Sequence, residues 1–324
     1  MVDVTDLETN PAEGDQAQRP AAIRSYVAIG DSLTEGLEDL SPQGEYRGFA
    51  DRLAEHLGGA APGFRYANLA VRGRRMRHIF GEQLDQTLGF APDLVTVHAG
   101  GNDVLRPNTD LDDLAAEFET GIARLREAGI RVVILSGHDT GWIPFLRVYR
   151  GRIAVFSMHL RAVAERTASD IVDLWSMGAL NDPRAWSVDR LHFNAAGHRI
   201  VAARIAELLG VPMGPSETWS RPWDTPPERL PRILRRRENW RWAREHLVPW
   251  LSRRALGRSS GDGRRPKRPE LTELAPAPEP AEAADEAGSE YSAGAGRADG
   301  PSIGDGAARR PAPSNSRVRQ IRRG

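Results

Sequence analysis

Between residues 24 and 210, short apolar segments alternate with amphipathic ones, and this alternation limits the chain to an α/β fold. The strand-like segments lie at 25–29, 64–69, 94–98, 132–136 and 171–174. The helix-like segments lie at 46–57, 76–88, 111–128, 145–167 and 195–209. Strands that alternate with helices form parallel sheets covered on both faces. The pattern predicts a three-layer α/β/α sandwich around a parallel five-stranded sheet, in a domain spanning 23–210.

The residues before this domain differ in composition. Segment 1–22 is acidic and polar and has no apolar core, so we expect it to be disordered and not a Sec-type signal peptide.

The chain has no cysteine, which excludes disulfides and thiolate metal sites and suits a reducing compartment. Nothing in it approaches the roughly 18 apolar residues that span a bilayer. These features predict a cytoplasmic protein.

Two further segments follow the predicted domain. Segment 211–258 is basic and rich in tryptophan, and its stretch 229–256 has the pattern of a helix. This appendage either packs on the domain or binds an anionic membrane surface, which would make the protein a peripheral membrane protein. Nucleic-acid binding is not expected, because the charge permits it but no recognised motif supports it. Segment 259–324 is of low complexity, so we predict a disordered tail.

The first chemical motif is Gly30-Asp31-Ser32-Leu33, directly after the strand predicted at 25–29. The glycine allows a sharp turn, and the serine opens the next helix. A hydroxyl there lies near free backbone N–H groups, which suits a nucleophile. Taken alone, Ser32 is better explained as a helix cap.

Three further motifs each lie where a strand ends or a helix begins. Segment 68–73 (Asn-Leu-Ala-Val-Arg-Gly) brings Gly73 to the end of the second strand, where its N–H is able to approach a ligand. Segment 100–103 (Gly-Gly-Asn-Asp) offers the side-chain amide of Asn102 as an oxyanion donor. In segment 189–192, the Asp189 carboxylate is placed to accept from one ring nitrogen of His192 while the other nitrogen faces the serine. Individually, these residues are also explained as turn or cap residues.

In this order the four motifs resemble those of the SGNH hydrolases, also called the GDSL esterase/lipase family, over about residues 24–210. The resemblance implies a flavodoxin-like fold (the SGNH hydrolase fold), Ser32 as nucleophile, His192 as base and Asp189 as its orienting acid. It also implies an oxyanion hole formed by the Ser32 and Gly73 N–H groups and Asn102, with no cofactor and no metal. The sequence departs from the family pattern at Ala70 and Phe193, where glycine and proline are usual.

Other residues compete for the same roles. Four other histidines are alternative bases: His98, His138, His159 and His198. Segments 257–261 and 300–304 both match Gly-x-Ser-x-Gly. Neither follows a strand or opens a helix, as a nucleophile elbow must, so we interpret both as chance matches.

These observations predict a serine esterase or lipase-like hydrolase that cleaves small-molecule or lipid esters through an acyl-enzyme. An acyltransferase or a carbohydrate O-acetyl esterase would use the same site. A membrane-surface interaction protein is the alternative from a different class.

Overall fold

The computed structural model describes residues 23–211, 213, 219–220, 223–225, 231–249, 252 and 259–274. The chain divides into two units, 1–277 and 278–324, of which the second lies outside the described residues. The segment 1–22, which we predict to be disordered, also lies outside them.

A mostly parallel sheet forms the centre of the described unit. Its strands are β1 (Ser25–Gly30), β2 (Arg65–Asn68), β3 (Leu94–His98), β4 (Arg131–Leu135), β5 (Asp170–Val172) and β6 (Arg268–Glu273). They lie in the order β5-β4-β3-β1-β2-β6. The first five strands pair in parallel, and β6 pairs antiparallel with β2. The order of the parallel strands is that of a flavodoxin-like fold, as the sequence predicts.

Helices cover both faces of the sheet. They are α1 (Ser32–Glu35), α2 (Phe49–Ala60), α3 (Met76–His78), α4 (Leu84–Phe90), α5 (Gly101–Val104), α6 (Leu111–Glu127), α7 (Arg150–Arg166), α8 (Ala195–Leu208) and α9 (Arg232–Trp242). A π-helical turn, Ile79–Gln83, joins α3 to α4, and a second one, Ala243–Leu247, continues α9. None of the helices described here has the length and apolar character that a bilayer span needs.

Alternate residues of the central strand β1 serve two separate cores. Tyr26 and Ala28 belong to the core that contains α2 and α8. Val27 and Ile29 belong to the core on the other face, with α4, α6 and α7. Every residue of β1 is buried, because the strand is covered on both faces and paired on both edges. Because β1 is buried and paired on both edges, it fixes the position of Asp31 and Ser32, which follow it directly.

The sixth strand corrects two predictions, that the sheet has five strands and that residues 259–324 form a disordered tail. Residues 259–274 are folded onto the domain, and β6 extends the sheet beyond β2, pairing Tyr66 with Thr272. The strand has the sequence Arg-Pro-Glu-Leu-Thr-Glu, which lacks an apolar run because most of its residues are exposed at the sheet edge. Leu271 and Leu274 pack against the two cores. Few apolar residues suffice for an edge strand, so its sequence resembles a polar tail.

Lys267 attaches this segment, which we call the C-terminal strap (residues 259–274), to the domain. Its ammonium group donates to the Glu35 carbonyl at 2.6 Å and the Tyr46 carbonyl at 2.9 Å, and it pairs with Asp51 Oδ2 at 2.5 Å. Asp51 and Glu35 are buried. The strap therefore supplies the cation that balances a buried carboxylate.

Candidate active site

The site lies at the carboxyl ends of β1, β2 and β3. From β1 the chain crosses to β2 on one side of it and then to β3 on the other. A crevice opens at such a switch point in an open α/β sheet. Ser32 follows β1, Gly73 follows β2 and Asn102 follows β3, and the turn that precedes α8 brings His192 to the same edge. The structure thus gathers the residues that the four motifs predict.

Ser32 is the first residue of α1. A Cβ atom on Gly30 would lie 2.3 Å from Thr34 Oγ1 and 2.7 Å from the His98 carbonyl, so only glycine fits where β1 turns into the helix. Asp31 caps the helix by accepting the Leu33 N–H at 3.3 Å. The cap is therefore Asp31, and the Ser32 hydroxyl remains available for another partner.

That partner is His192. The Ser32 Oγ lies 2.8 Å from His192 Nε2, and His192 Nδ1 lies 2.6 Å from Asp189 Oδ2. The ionised carboxylate only accepts hydrogen bonds, so Nδ1 carries the proton and Nε2 faces the serine as an acceptor. The three residues form one hydrogen-bonded chain that ends at the serine oxygen.

The Asp189 carboxylate is held in its ionised form. Its second oxygen accepts the Leu191 N–H at 2.9 Å, the His192 N–H at 3.0 Å and the Ser187 hydroxyl at 2.6 Å. Burial alone raises the pKa of Asp189, but the bonds from His192, Ser187 and Leu191 outweigh it and hold that pKa well below its usual range. Asp189 therefore remains a carboxylate across the pH range in which a histidine titrates.

Gly73 lies under the C-terminal strap. Its φ is +72°, in the left-handed region that favours glycine, and a Cβ atom there would lie 2.3 Å from Ser259 Oγ, so the Ser259 side chain would have to move. Ser259 donates to the Gly73 carbonyl at 3.2 Å. The preceding Arg72 pairs with Glu35 of α1, and its N–H donates to the same carboxylate at 2.6 Å. The Gly73 turn is thus held by α1 on one side and the strap on the other.

The amide of Asn102 has two acceptors in this structure. Its Nδ2 donates to Asp31 Oδ2 at 3.1 Å and to the Arg74 carbonyl at 3.0 Å. Because both partners only accept, the nitrogen and not the oxygen faces Asp31. Asp31 also lies 3.3 Å from His98 Nδ1, so this buried carboxylate joins β1 to the end of β3.

Three of the four alternative bases have other partners, and the fourth, His138, lies beside the cleft. His98 pairs with Asp31 as described. His198 is fully buried, accepts the Phe49 N–H at 3.1 Å and lies 3.3 Å from the Leu37 carbonyl. His159 pairs with Asp112, an exposed residue. His138 lines the cleft beside Trp186, with its Nε2 buried and unpaired. In the described residues no group of three or more His, Asp or Glu side chains is arranged to hold a metal ion.

Both departures from the family pattern are accommodated in the core. Phe193 is buried and packs against Trp186 with ring centroids 4.6 Å apart. Ala70 is fully buried and donates its N–H to Asn68 Oδ1 at 3.1 Å. Neither residue alters the hydrogen-bonded chain, so the departures concern packing.

His138 predicts an acid-sensitive stability. Burial lowers its pKa from 6.5 to about 3. Between about pH 3 and pH 6.5 the histidine is protonated in the unfolded state but neutral in the folded state. The free energy of unfolding is therefore highest above pH 6.5 and falls as the pH decreases below it. We expect His138→Phe to remove a slope of up to about 1.4 kcal/mol per pH unit. Urea unfolding at pH 7, 6, 5 and 4 measures it, and an unchanged slope in the variant would contradict the assignment.

The cleft at Ser32 has a volume of about 450 Å³. Apolar side chains form much of its wall: Leu33, Leu37, Leu105, Leu146 and Ile153. The π-helical turn after α9 contributes Glu245 and His246, followed by Pro249, and the strap contributes Ser260. The sequence did not assign these four to the site, because a basic helix and a low-complexity segment carry no pattern that places them at a sheet edge.

Helix α9 packs on the domain through one of its tryptophans. Trp242 is buried and stacks on Phe145 with centroids 4.6 Å apart. Trp240 is 79% exposed and Ile233 is 69% exposed. Contact of this outer surface with an anionic membrane stays a prediction. The remainder of the predicted helix 229–256 lies partly outside the described residues.

The match to the GDSL esterase family that the motifs suggest extends over all the site residues that the four motifs predict. A model of the GDSL-like Lipase/Acylhydrolase family matches residues 28–200, more than half of the chain. This range contains Ser32, Gly73, Asn102, Asp189 and His192, whereas α9 and the strap lie beyond it. A comparison with curated proteins gave no match.

Several solved structures are similar to the chain. Axe2, an acetylxylan esterase from Geobacillus stearothermophilus, is 20% identical with a TM-score of 0.48, covering 58% of this chain and 94% of that one. LAE5, an alpha/beta hydrolase from the metagenome of Lake Arreo, is 25% identical with a TM-score of 0.47, covering 59% and 97%. The psychrotrophic esterase EstA from Pseudoalteromonas sp. is 13% identical with a TM-score of 0.46, covering 58% and 97%.

Proposed function

Because this chain belongs to the GDSL-like Lipase/Acylhydrolase family and is a hydrolase of ester bonds, we propose that it is a serine esterase with Ser32 as its nucleophile. The observation that carries the proposal is the 2.8 Å contact between Ser32 Oγ and His192 Nε2, in a chain continued by Asp189. A nucleophile, a base and an orienting acid in hydrogen-bond reach are what acyl transfer requires.

Acylation follows from this geometry. His192 Nε2 takes the Ser32 proton as Oγ attacks the ester carbonyl, and Asp189 stabilises the imidazolium through the Nδ1–H bond. The tetrahedral intermediate collapses when the leaving alcohol takes the proton from Nε2, leaving an acyl-serine. Water, activated by the same nitrogen, then releases the acid and restores Ser32. His192 acts as a base when neutral and as an acid when protonated, and the ionised Asp189 bonds to its Nδ1–H in both states.

The developing oxyanion needs donors at the end of α1. The N–H of Ser32 opens α1, where the first N–H groups have no acceptor within the helix, and Gly73 and Asn102 lie in the same cleft. For Asn102 to donate to the oxyanion, its amide must leave one of two acceptors. The bond from Asn102 to the Asp31 carboxylate is charge-assisted and therefore stronger than the bond to the Arg74 carbonyl. We expect Asn102 to keep the first bond and to replace the second by a bond to the oxyanion.

Asn102→Ala is therefore expected to lower kcat by about 10²- to 10³-fold with little change in KM, because the amide acts on developing charge. Steady-state kinetics on a soluble ester measure both constants. A change confined to KM would make Asn102 a substrate-binding group. Asn102→Asp is the matched control, since it keeps the size but places a negative charge beside the oxyanion, and it should be at least as impaired.

The apolar wall of the cleft suits the acyl group of the substrate. Leu33 belongs to α1 and Leu37 follows it, whereas Leu146 lies just before α7 and Ile153 lies within it. Apolar walls favour an acyl chain by burying its surface, at about 25 cal/mol per Å². The same cleft also offers the polar side chains of Glu245 and His246, which suit the alcohol part of the ester.

The test is hydrolysis of p-nitrophenyl esters from acetate to palmitate, compared with His192→Ala. We expect turnover of at least one chain length that depends on His192. Hydrolysis of every ester at the rate of the variant would contradict the proposal. Adding methanol or a sugar as acceptor shows whether the acyl-enzyme transfers to alcohols, as an acyltransferase would, and acetylated xylo-oligosaccharides test the carbohydrate O-acetyl esterase.

A further inference from the structure

The turn that carries Asp189 and His192 contains a residue in an unfavourable backbone conformation. Arg190 has a φ of +55°, in the left-handed region that residues other than glycine rarely adopt. Its N–H donates to the Ser187 carbonyl at 3.1 Å. The next two N–H groups, of Leu191 and His192, bond to Asp189 Oδ1. The left-handed residue thus directs two successive N–H groups at the carboxylate, and such a conformation persists only where the surroundings hold it.

Helix α9 provides the contacts that hold Arg190 in this conformation. The Arg190 guanidinium donates to Asn239 Oδ1 at 2.6 Å and lies over the Trp242 ring, 5.4 Å from its centroid. Trp242 is buried and is itself stacked on Phe145. The side chain of Arg190 is therefore fixed between two residues of α9, one of which is anchored in the domain.

From this arrangement we propose that α9 positions the turn that carries Asp189 and His192. Arg190 is the positioning residue, and Asn239 and Trp242 hold its side chain in place. The inference rests on the proposed role of His192 as the base. Arg190 does not touch the reacting atoms and acts through its neighbours Asp189 and His192. Since α9 lies outside residues 28–200, this chain completes its site with a segment beyond the family match.

The proposal has a specific kinetic consequence. If Arg190 is released, its backbone relaxes towards negative φ, the N–H groups turn away from Asp189, and His192 Nε2 loses its alignment with Ser32. A displacement of about 1 Å at a catalytic group is able to cost about 10²-fold in rate. Apart from Leu191, the apolar residues that line the cleft come from other elements, so KM should change less than kcat.

The experiment compares Asn239→Ala, Arg190→Ala and the double variant, using kcat, KM and the melting temperature on the full chain. We expect each single variant to lose about 10- to 100-fold in kcat, and the double variant to lose no more than the worse single one, because both break one contact. Arg190→Gly should retain more kcat than Arg190→Ala, because glycine adopts φ +55° without a holder. Arg236→Ala, an exposed arginine of the same helix, is the matched control and should behave as wild type.

Three results would overturn the proposal: wild-type kcat in Asn239→Ala, losses that multiply in the double variant, or a change confined to KM. The comparison of Arg190→Gly with Arg190→Ala stays informative where an alanine variant is unstable, because relief of strain alone would raise the melting temperature of the glycine variant without raising the kcat of the folded enzyme. Failure of this inference is distinguishable from failure of the proposed function. If only the inference about α9 fails, His192→Ala is inactive while Asn239→Ala has normal activity. If the proposed function fails, His192→Ala keeps its activity.

Discussion

Replacing Ser32 or His192 with alanine is expected to lower kcat/KM by about 10⁴- to 10⁶-fold, the largest loss that any substitution in this chain should cause. The two side chains act as one unit, because the serine is a weak nucleophile until Nε2 takes its proton. The double variant should therefore be no worse than either single one. Steady-state hydrolysis of the best p-nitrophenyl ester measures the loss.

Stability separates this loss from misfolding. Asp31 and not Ser32 caps α1, so Ser32→Ala removes no helix cap and the melting temperature should stay close to that of the wild type. His198→Ala is the matched control for histidine, because His198 is buried and bonds to the backbone of Phe49 and Leu37 rather than to the Ser32 hydroxyl. We expect it to lose stability rather than chemistry. Near-normal turnover in His192→Ala would exclude it as the base.

Ending the chain at residue 258 is the second large change, because it removes the strap. The domain then loses β6, the Lys267 cation that faces Asp51, and the Ser259 bond to Gly73. A buried carboxylate without its partner costs about 3–5 kcal/mol, which is a large part of the stability of a typical domain. We expect a strongly lowered melting temperature and poor recovery of active enzyme, as thermal unfolding and specific activity would show.

Two controls make this result specific. A chain of residues 1–274 retains the strap and should keep full activity, because the described contacts of the sheet end at Leu274. Lys267→Met in the full chain removes only the cation and should account for much of the lost stability. Equal stability of the chains 1–258 and 1–274 would show that the strap contributes nothing to the fold.

Much of this domain could be predicted from its residues. The five parallel strands are short apolar runs, and the structure places each within two residues of its predicted limits. The convergence of Ser32, Gly73 and Asn102 could be predicted, because parallel strands end at the same edge of the sheet and each of these residues follows such a strand. The turn before α8 follows from an Asp and a His three residues apart, a spacing that allows a direct hydrogen bond.

The remainder depends on tertiary contacts that leave no local pattern. Strand β6 has charged residues at three of its six positions, and only its pairing with β2 makes it a strand. Lys267 is an ordinary surface lysine by sequence, yet it is the partner of Asp51. Trp240 and Trp242 are two residues apart on α9, and nothing in their local sequence distinguishes the exposed ring from the buried one. The left-handed turn at Arg190 likewise depends on a helix about fifty residues further along the chain.

The central claim, that Ser32 is the nucleophile of an esterase, is tested most directly by covalent labelling with an organophosphonate ester probe. Such a probe is attacked by an activated serine and leaves a stable phosphonyl adduct. Peptide mass spectrometry should find the adduct on Ser32 of the wild-type chain, at a rate that falls sharply in His192→Ala and to zero in Ser32→Ala. Labelling of a different serine, such as Ser260 in the same cleft, or labelling of Ser32 that is independent of His192, would contradict the account.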